Sequence, residues 1–325
     1  MRRTAVSRLL WPAGVAFGAA ASLRRLAFTL GLARSHRAGL PVIVVGNLIA
    51  GGSGKTPLTL WIAELLRERG FSPAIVSRGY GGSAEAPREA TIASDPAEVG
   101  DEPVVLARRS GCPVWVGPDR VAAIAALRSQ HPDCNVLVLD DGLQHYRLAR
   151  DVEIAIVDSR AFGNGYLLPA GPLREPPRRL RSVSAVVAHD LDKAIVERDA
   201  GRRPIFSMTL RGGEAHRAIN ALDRRSLREF AGVRVHAVAG IGNPDRFFRH
   251  LQAHGVQPVE HAFPDHHPFG PQDLEFGDDA PVLMTEKDAV KCKRFAKPDH
   301  WVLPVSAELE PGFAEWLIHA MKNRA

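Results

Sequence analysis

The sequence predicts an α/β protein in which helices flank a parallel sheet, with a second, smaller α/β domain and an N-terminal membrane-associated helix. Three observations support this fold class. Short β-branched runs alternate with helical patterns, the alternation restarts near residue 204, and the first 40 residues combine arginines with apolar stretches. Alternating strands and helices are typical of parallel sheets. We therefore expect a basic arm at 1–40, a core at 41–203 and a smaller domain at 204–325.

The bulk composition is that of a folded globular protein. Of the 325 residues, 45% are hydrophobic and 24% are charged, which argues against general disorder. Cys112, Cys134 and Cys292 lie far apart, so they form neither a disulfide framework nor a zinc motif. A reducing compartment is the simplest interpretation.

The positive charge is concentrated in the arm. Residues 1–40 contain seven of the 42 basic residues and none of the 36 acidic ones, so 35 basic residues face 36 acidic ones in the rest. The arginines are Arg2, Arg3, Arg8, Arg24, Arg25, Arg34 and Arg37. A nucleic-acid-binding protein that uses the arm is one alternative, but the body offers no extended basic face. We expect no nucleic-acid partner.

Apolar residues between these arginines favour a membrane surface as the partner. The run at 9–23 is shorter than the ~20 residues that cross a bilayer, and Pro12 interrupts it. Trp11, Phe17 and Phe28 suit a segment that lies in the interface while arginines meet anionic head groups.

Three other interpretations of the arm stay open. Arg2, Arg3 and the small residues at 20–22 also fit a secretory signal peptide, although the nucleotide motif that follows needs a cytoplasmic supply of ATP. A true membrane anchor and an ordinary packing helix are the other two.

A phosphate-binding loop follows the arm. The apolar run at 41–45 predicts a buried parallel strand, and the apolar spacing at 58–66 predicts a helix. Between them lie the candidate nucleotide-binding residues Gly51, Gly52, Ser53, Gly54, Lys55 and Thr56. Glycines let backbone N–H groups converge on phosphate, Lys55 can neutralise β/γ oxygens, and Thr56 can ligate Mg²⁺. The sheet is therefore predicted to be of P-loop NTPase type, although Ile49 replaces the first glycine of the usual pattern.

Two adjacent acids end another buried strand. Residues 136–139 are apolar, and Asp140 and Asp141 follow directly. The carboxyl ends of parallel strands are where ligands bind in such sheets, so both acids are candidate Mg²⁺ ligands together with Thr56. A pair of ordinary turn residues is the alternative.

Seven motifs in order resemble the lipid A 4′-kinase (tetraacyldisaccharide 4′-kinase) family. They are GNLIAGGSGKTP (46–57), SRGYGG (77–82), GDEP (100–103), DDGLQH (140–145), PAGPLREP (169–176), FPDHH (263–267) and TEKDAVK (285–291). The resemblance implies transfer of the ATP γ-phosphate to the 4′-hydroxyl of a tetraacylated disaccharide 1-phosphate. It also implies a peripheral enzyme on the cytoplasmic face of the inner membrane of a Gram-negative bacterium, with ATP and Mg²⁺ as cofactors and no obligate protein partner.

The same resemblance assigns the catalytic residues. Asp101 matches the family's candidate base and His266 its catalytic histidine, with Lys55 on the phosphates. Without the family, a carboxylate that caps the following helix is the more common interpretation of Asp101, and a surface loop is the more common one of His266. Asp265 is expected to orient His266.

Arginines are the candidate ligands of the substrate's anionic head group. Arg78, Arg120 and Arg174 suit this role because the guanidinium fork matches phosphate, although each could be a solvated surface residue. The basic loop at 174–181 is expected to meet the substrate's 1-phosphate or anionic lipid.

The second half carries the FPDHH loop, so a histidine on one lobe and a P-loop on the other predict closure between the domains. A P-loop NTPase switch that drives a protein partner is the main rival, although the spaced Lys-x-Asp pattern of guanine recognition is missing at Lys287 and Asp288.

Overall fold

The computed structural model describes residues 3–322. Residues 1, 2 and 323–325 lie outside this range, so Arg2 of the predicted basic arm is outside the described residues. Within the range, the helices are α1 (Ala5–Leu9), α2 (Trp11–Thr29), α3 (Lys55–Glu68), α4 (Pro96–Val99), α5 (Asp101–Ser110), α6 (Arg120–Gln130), α7 (Ala194–Ala200), α8 (Pro244–Ala253), α9 (Glu286–Cys292) and α10 (Phe313–Lys322).

A large, mostly parallel sheet forms the centre of the molecule. In spatial order its strands are β15 (Ser306–Leu309), β8 (Ile205–Arg211), β7 (Ala185–His189), β6 (Val152–Asp158), β1 (Val42–Asn47), β5 (Val136–Leu139), β2 (Pro73–Ser77), β4 (Val114–Val116) and β3 (Arg88–Ala90). Only the two edge strands, β15 and β3, pair antiparallel with their neighbours. The predicted α/β class with a parallel sheet is confirmed.

Helices cover both faces of this sheet, which explains its apolar strands. On one face α3, α5 and α10 pack against the side chains of β1, β2 and β5. Leu58, Ile62 and Leu66 recur every four residues on α3, so they form one buried stripe on this face. The opposite face is covered by α6 and α7. The strands are therefore buried on both sides, as in other doubly wound sheets.

A smaller sheet is formed by strands that lie between residues 214 and 303. In spatial order its strands are β10 (Arg224–Ser226), β9 (Glu214–Arg217), β14 (His300–Leu303), β13 (Val282–Thr285), β11 (Arg234–Ala239) and β12 (Gln257–Ala262). The last four strands in this order, β14, β13, β11 and β12, run parallel. Helix α8 packs on this sheet through Phe247, Phe248 and Leu251.

The boundary between the two sheets differs from the predicted division at residue 204. Strand β8 pairs parallel with β7 in the large sheet, and β15 returns to pair with β8. The reason is packing: the ring of Phe313 of α10 contacts the rings of Trp61 on α3 and Phe206 on β8. The smaller unit is therefore an insertion spanning about 214–304.

The N-terminal helices lie on the outside of the large unit. Along α2 only Gly14 and Gly18 are buried, and both face Leu167. Arg25 donates to the Ser182 hydroxyl at 2.6 Å, which fixes the far end of the helix. Large apolar side chains stay exposed along α1, α2 and the turn after them, namely Val6, Leu9, Leu10, Trp11, Val15, Phe17, Leu23, Leu26, Leu30 and Leu32. No helix in the described part of the chain combines the length and the apolar character needed to span a membrane.

Candidate active site

The glycine loop joins β1 to α3 in the geometry that phosphate binding requires. Gly54 precedes α3 with a positive φ of 93°, and a Cβ at this position would lie 2.6 Å from Nδ1 of His189. Only glycine fits both the backbone and the space. Asn47, the last residue of β1, donates to the Ser53 hydroxyl at 2.9 Å and so holds the loop against the strand. The loop places Lys55 at the N-terminus of α3, where backbone N–H groups favour anions.

Two residues that the sequence analysis did not single out support this loop from the next strands. Arg160 forms an ion pair with Asp158 at the end of β6 and donates to the Gly52 carbonyl at 2.7 Å. Nδ1 of His189, at the end of β7, donates to the Ser53 carbonyl at 2.8 Å. The available signal was their position, because each polar side chain follows an apolar strand at its carboxyl end.

Asp140 and Asp141 follow β5 and have different surroundings. Asp140 is fully buried and accepts from the Thr59 hydroxyl at 3.0 Å, whereas its Oδ2 has no hydrogen-bond partner in residues 3–322. Burial raises the pKa of Asp140 to about 7, with Glu102 adding to the effect. An ionised Asp140 therefore needs a cation.

Asp141 is held by cations that are already present. Its backbone has a positive φ of 50°, and its carboxylate lies 3.8 Å from Nζ of Lys55 and 3.0 Å from Nη1 of Arg174. Burial raises the pKa of Asp141, but the charges of Lys55 and Arg174 outweigh it and the net pKa is lowered. Asp141 is thus a carboxylate that links the phosphate-binding lysine to Arg174.

Asp101 and His266 form a hydrogen-bonded pair across the two units. Asp101 is the first residue of α5, and its oxygens accept from Nδ1 of His266 at 3.0 and 3.1 Å. His266 has a positive φ of 62°, and its ring packs 4.9 Å from the ring of Tyr80. A strained backbone held by such contacts is common in functional sites.

The pair shifts the pKa of both partners in opposite directions. Burial raises the pKa of Asp101, but the hydrogen bond with His266 and the charge of Lys287 outweigh burial and leave the pKa lowered. Burial lowers the pKa of His266, but the hydrogen bond and charge of Asp101 outweigh burial and leave the pKa raised. Asp101 is therefore an ionised partner that strengthens His266 as a base.

Lys287 contacts the ring nitrogen of His266 that does not face Asp101, and it connects this ring to two acids. Its Nζ donates to Asp265 at 2.9 Å, to Glu102 at 3.2 Å and to Nε2 of His266 at 3.3 Å. Burial lowers the pKa of Lys287, but the nearby carboxylates outweigh it and raise the pKa overall. Glu102 and Lys287 lie in motifs quoted above, yet no role was predicted for either.

A cleft of about 220 Å³ lies between the P-loop and the smaller unit. Its lining includes the loop at 52–57, Glu102 and Lys287, together with Arg246 of α8. The smaller unit approaches the loop closely, because a Cβ on Gly242 would lie 2.5 Å from the Gly52 nitrogen. The P-loop thus shares one cleft with Glu102 and Lys287, whereas Asp101 and His266 line a neighbouring cavity of about 570 Å³.

The three predicted substrate arginines lie in different environments. Arg174 is half-buried and bound to Asp141, and Arg78 is exposed just after β2. Arg120 is buried, and its Nη2 donates to the Asp141 carbonyl at 2.8 Å. Burial lowers the pKa of Arg120 to about 10. Arg120 therefore supports the turn that carries the two acids, whereas Arg78 and Arg174 are the more accessible cations.

The site combines three parts of a phosphoryl-transfer enzyme. They are a P-loop with Lys55, paired acids after the neighbouring strand, and an Asp–His pair that joins the two units. The fold and site therefore define a P-loop kinase.

Comparisons with known proteins agree with this class. The family model "Tetraacyldisaccharide-1-P 4′-kinase" (LpxK) matches residues 6–322. A tetraacyldisaccharide 4′-kinase from Aromatoleum aromaticum is 50% identical over 321 residues, covering 99% of this chain and 95% of the relative. One from Azoarcus sp. (strain BH72) is 49% identical, covering 97% and 92%. The crystal structure of LpxK from Aquifex aeolicus in complex with ATP matches with a TM-score of 0.81 and 25% identity, covering 97% and 99%. The chain belongs to the tetraacyldisaccharide 4′-kinase family.

This assignment confirms the predicted family, fold class and kinase activity, and it does not support the switch that drives a protein partner. The roles of individual site residues stay predictions.

Proposed function

We propose that the chain transfers the γ-phosphate of ATP to the 4′-hydroxyl of a tetraacyldisaccharide 1-phosphate at the cytoplasmic face of the inner membrane. The observation that carries the proposal is the shared cleft. There the P-loop faces Glu102 and Lys287, and Lys287 is in contact with His266. The relatives' printed names supply the identity of the lipid acceptor.

ATP is assigned to the P-loop side of this cleft. Backbone N–H groups of 51–56 and the start of α3 would hold the β- and γ-phosphates, with Lys55 neutralising their charge. Nonpolar side chains that line the same cleft, including Leu60, Val105 and Phe247, offer the contacts that a purine ring needs.

The residues also fit a bound Mg²⁺. Thr56 lies in the first turn of α3, and the buried Oδ2 of Asp140 lacks a partner in the described range. No group of three or more His, Cys, Asp or Glu in residues 3–322 could hold a metal alone. That suits Mg²⁺, which is usually held by one or two carboxylates plus substrate phosphates. We assign Thr56, Asp140 and Asp141 to this ion, which when bound neutralises charge on the transferring phosphoryl group.

The Asp101–His266 pair is assigned to the acceptor hydroxyl. As the new O–P bond forms and the bond to ADP breaks, the hydroxyl proton has to leave. His266, with its pKa raised by Asp101, is a suitable acceptor at neutral pH, and Asp101 orients its ring. Asp265 and Lys287 hold the opposite side of the ring.

The arginines at the carboxyl edge of the sheet are assigned to the disaccharide phosphate. Arg174 and the exposed Arg78 are the cations available there, and Arg120 supports the same edge from below. Arg178 and Arg181 extend the positive charge towards α2.

Helices α1 and α2 are assigned to the bilayer surface. A nearly fully exposed apolar helix is unfavourable in water, and its flanking arginines complement anionic head groups. Peripheral attachment would bring the cleft to a substrate whose acyl chains stay in the membrane.

The test is a transfer assay with γ-labelled ATP, Mg²⁺ and tetraacyldisaccharide 1-phosphate in detergent micelles, beside a Lys55→Ala variant. We expect label to enter the lipid with the wild-type chain and not with the variant. ATP hydrolysis without labelled lipid would contradict the proposed acceptor.

A further inference from the structure

A buried lysine from the smaller unit contacts the catalytic pair from behind. Lys291 lies in the last turn of α9, which packs against α5, and its side chain is 10% exposed. Its Nζ lies 3.6 Å from Oδ2 of Asp101 and 3.0 Å from Oδ1 of Asp288. Neither contact is a hydrogen bond, so within residues 3–322 the ammonium group has charge partners only.

The position of Lys291 is fixed independently of Asp101. Asp288 is fully buried, and its Oδ2 accepts from the Gly240 nitrogen at 2.9 Å and from the Thr285 hydroxyl at 2.6 Å. These bonds tie Asp288 to the end of β11 and to the start of α9. The Phe269 ring, 4.9 Å from Nζ, closes another side. Lys291 is therefore presented to Asp101 by the fold of the smaller unit.

We propose that Lys291 is a positioning residue for the Asp101–His266 pair: it holds Asp101 as a carboxylate, so that the pair can receive the proton of the acceptor hydroxyl. The inference rests on the roles proposed above for Asp101 and His266. Asp101 accepts from the backbone N–H of Glu102, and the charged groups that face it are His266 from the loop before Phe269 and Lys287 and Lys291 from α9.

The two lysines of α9 serve different sides of the pair. Lys287 contacts Nε2 of His266, Asp265 and Glu102, so it faces the cleft and the reacting groups. Lys291 lines a cavity of about 570 Å³ that Asp101 and His266 also line, and it does not line the P-loop cleft. Its charge therefore acts on Asp101 from a different side than Lys287.

The sign of its effect follows from Coulomb's law. A cation 3.6 Å from Asp101 stabilises the ionised pair and disfavours its protonated form. With solvent-like screening, removing the cation is worth roughly one pH unit. Lys291→Met should therefore move the acid limb of kcat/KM upward by about one unit, whereas Lys291→Arg, which keeps the charge, should restore the wild-type profile.

The experiment measures this limb for the full chain in micelles and, separately, the titration of His266 by NMR without substrates. Lys293→Met is the matched control, because Lys293 lines the same cavity but is exposed. We expect the acid limb and the His266 titration to move upward in Lys291→Met and to stay at the wild-type pH in Lys291→Arg and Lys293→Met. An unmoved limb and titration in a folded Lys291→Met protein would overturn the inference, as would an equal shift in Lys293→Met.

A second variant covers a folding failure. Lys291→Gln is uncharged but can still hydrogen-bond with Asp288, and it should show the same upward shift; an unmoved titration in it would also overturn the inference. The NMR readout separates this inference from the proposed function. If His266→Ala keeps wild-type turnover, the catalytic role of His266 fails, whereas the titration still tests Lys291.

Discussion

Replacing Asp101 by Asn removes one negative charge from the proposed catalytic pair and leaves an oxygen that can still accept from His266. In the wild-type chain both carboxylate oxygens lie 3.0–3.1 Å from Nδ1 of His266. The variant therefore tests whether Asp101 acts through its charge or only through its shape.

The magnitude can be worked out from the hydrogen bond. A bond to a charged group contributes about 1.5–3 kcal/mol and a neutral one about 1 kcal/mol, so the variant loses about 0.5–2 kcal/mol of stabilisation of protonated His266. This corresponds to a fall of about one unit in the pKa of His266. A base that is weaker by about one pKa unit should lower kcat by about tenfold.

The assay is the initial rate of label transfer between about pH 5 and 8, where histidine titrates. We expect the acid limb to move to lower pH while the plateau falls. Thermal melting at each pH is the control, because Asp101 and His266 change the stability of the fold with pH in opposite directions. The lowered pKa of Asp101 stabilises the wild-type fold above the unfolded pKa of Asp101, and this contribution is lost as pH falls through its folded pKa. The raised pKa of His266 stabilises the fold below the unfolded pKa of His266 and is lost as pH rises through its folded pKa.

Two results would refute the reasoning. A folded Asp101→Asn protein with a plateau within a few-fold of wild type would show that the charge of Asp101 is dispensable. A large loss of rate at every pH, with the His266 titration unmoved, would show that Asp101 does not act through the basicity of His266.

Three further predictions concern the loop, the metal site and the membrane. Gly54→Ala and Gly232→Ala both force alanine to a positive φ, and each strain should cost about 1–2 kcal/mol of folding free energy. Because Gly232 faces open space, only Gly54→Ala should also lose ATP binding, measured by calorimetry. Asp140→Asn should lower the rate at least about a hundredfold. At pH 8 without Mg²⁺ the variant should melt no lower than wild type, because a buried carboxylate with a raised pKa destabilises the fold above that pKa. A lower melting temperature of the variant would contradict this. Trp11→Glu should weaken binding to anionic vesicles about tenfold or more without changing the rate in micelles, whereas Leu222→Glu, at an exposed site on the smaller unit, should change neither.

Local patterns were sufficient to predict the strand, glycine loop and helix around Lys55 and the position of Asp140 after a buried strand. A β-branched run, a glycine loop and Lys55 are contiguous, and Asp140 follows its strand directly. Such signals depend on short-range geometry, since the carboxyl end of each parallel strand reaches the same edge of the sheet. The remote partner in the catalytic pair, His266, required the family motif because 165 residues separate it from Asp101.

Features that depend on packing between distant segments were beyond sequence reasoning. The assignment of β8 to the large sheet depends on α10, which returns from the end of the chain to pack on Phe206. Arg160 and His189 contact the P-loop through its backbone carbonyls, so their positions at strand ends indicate where they lie but not what they bind. Arg120 matched the type expected for a phosphate ligand, but its burial under Asp141 gives it contacts that residue type alone cannot indicate.

The two charge changes proposed at the catalytic pair act in opposite directions, and this links catalysis to the arrangement of the units. Removing the carboxylate of Asp101 should lower the pKa of His266, whereas removing the ammonium group of Lys291 should raise the pH at which the pair loses its proton. Asp101 belongs to the large unit, and both His266 and Lys291 belong to the smaller one. The proposed base therefore has all its charged partners only when the two units are in contact. Because Gly242 of the smaller unit also touches Gly52 of the P-loop, the same contact that completes the nucleotide cleft completes the base.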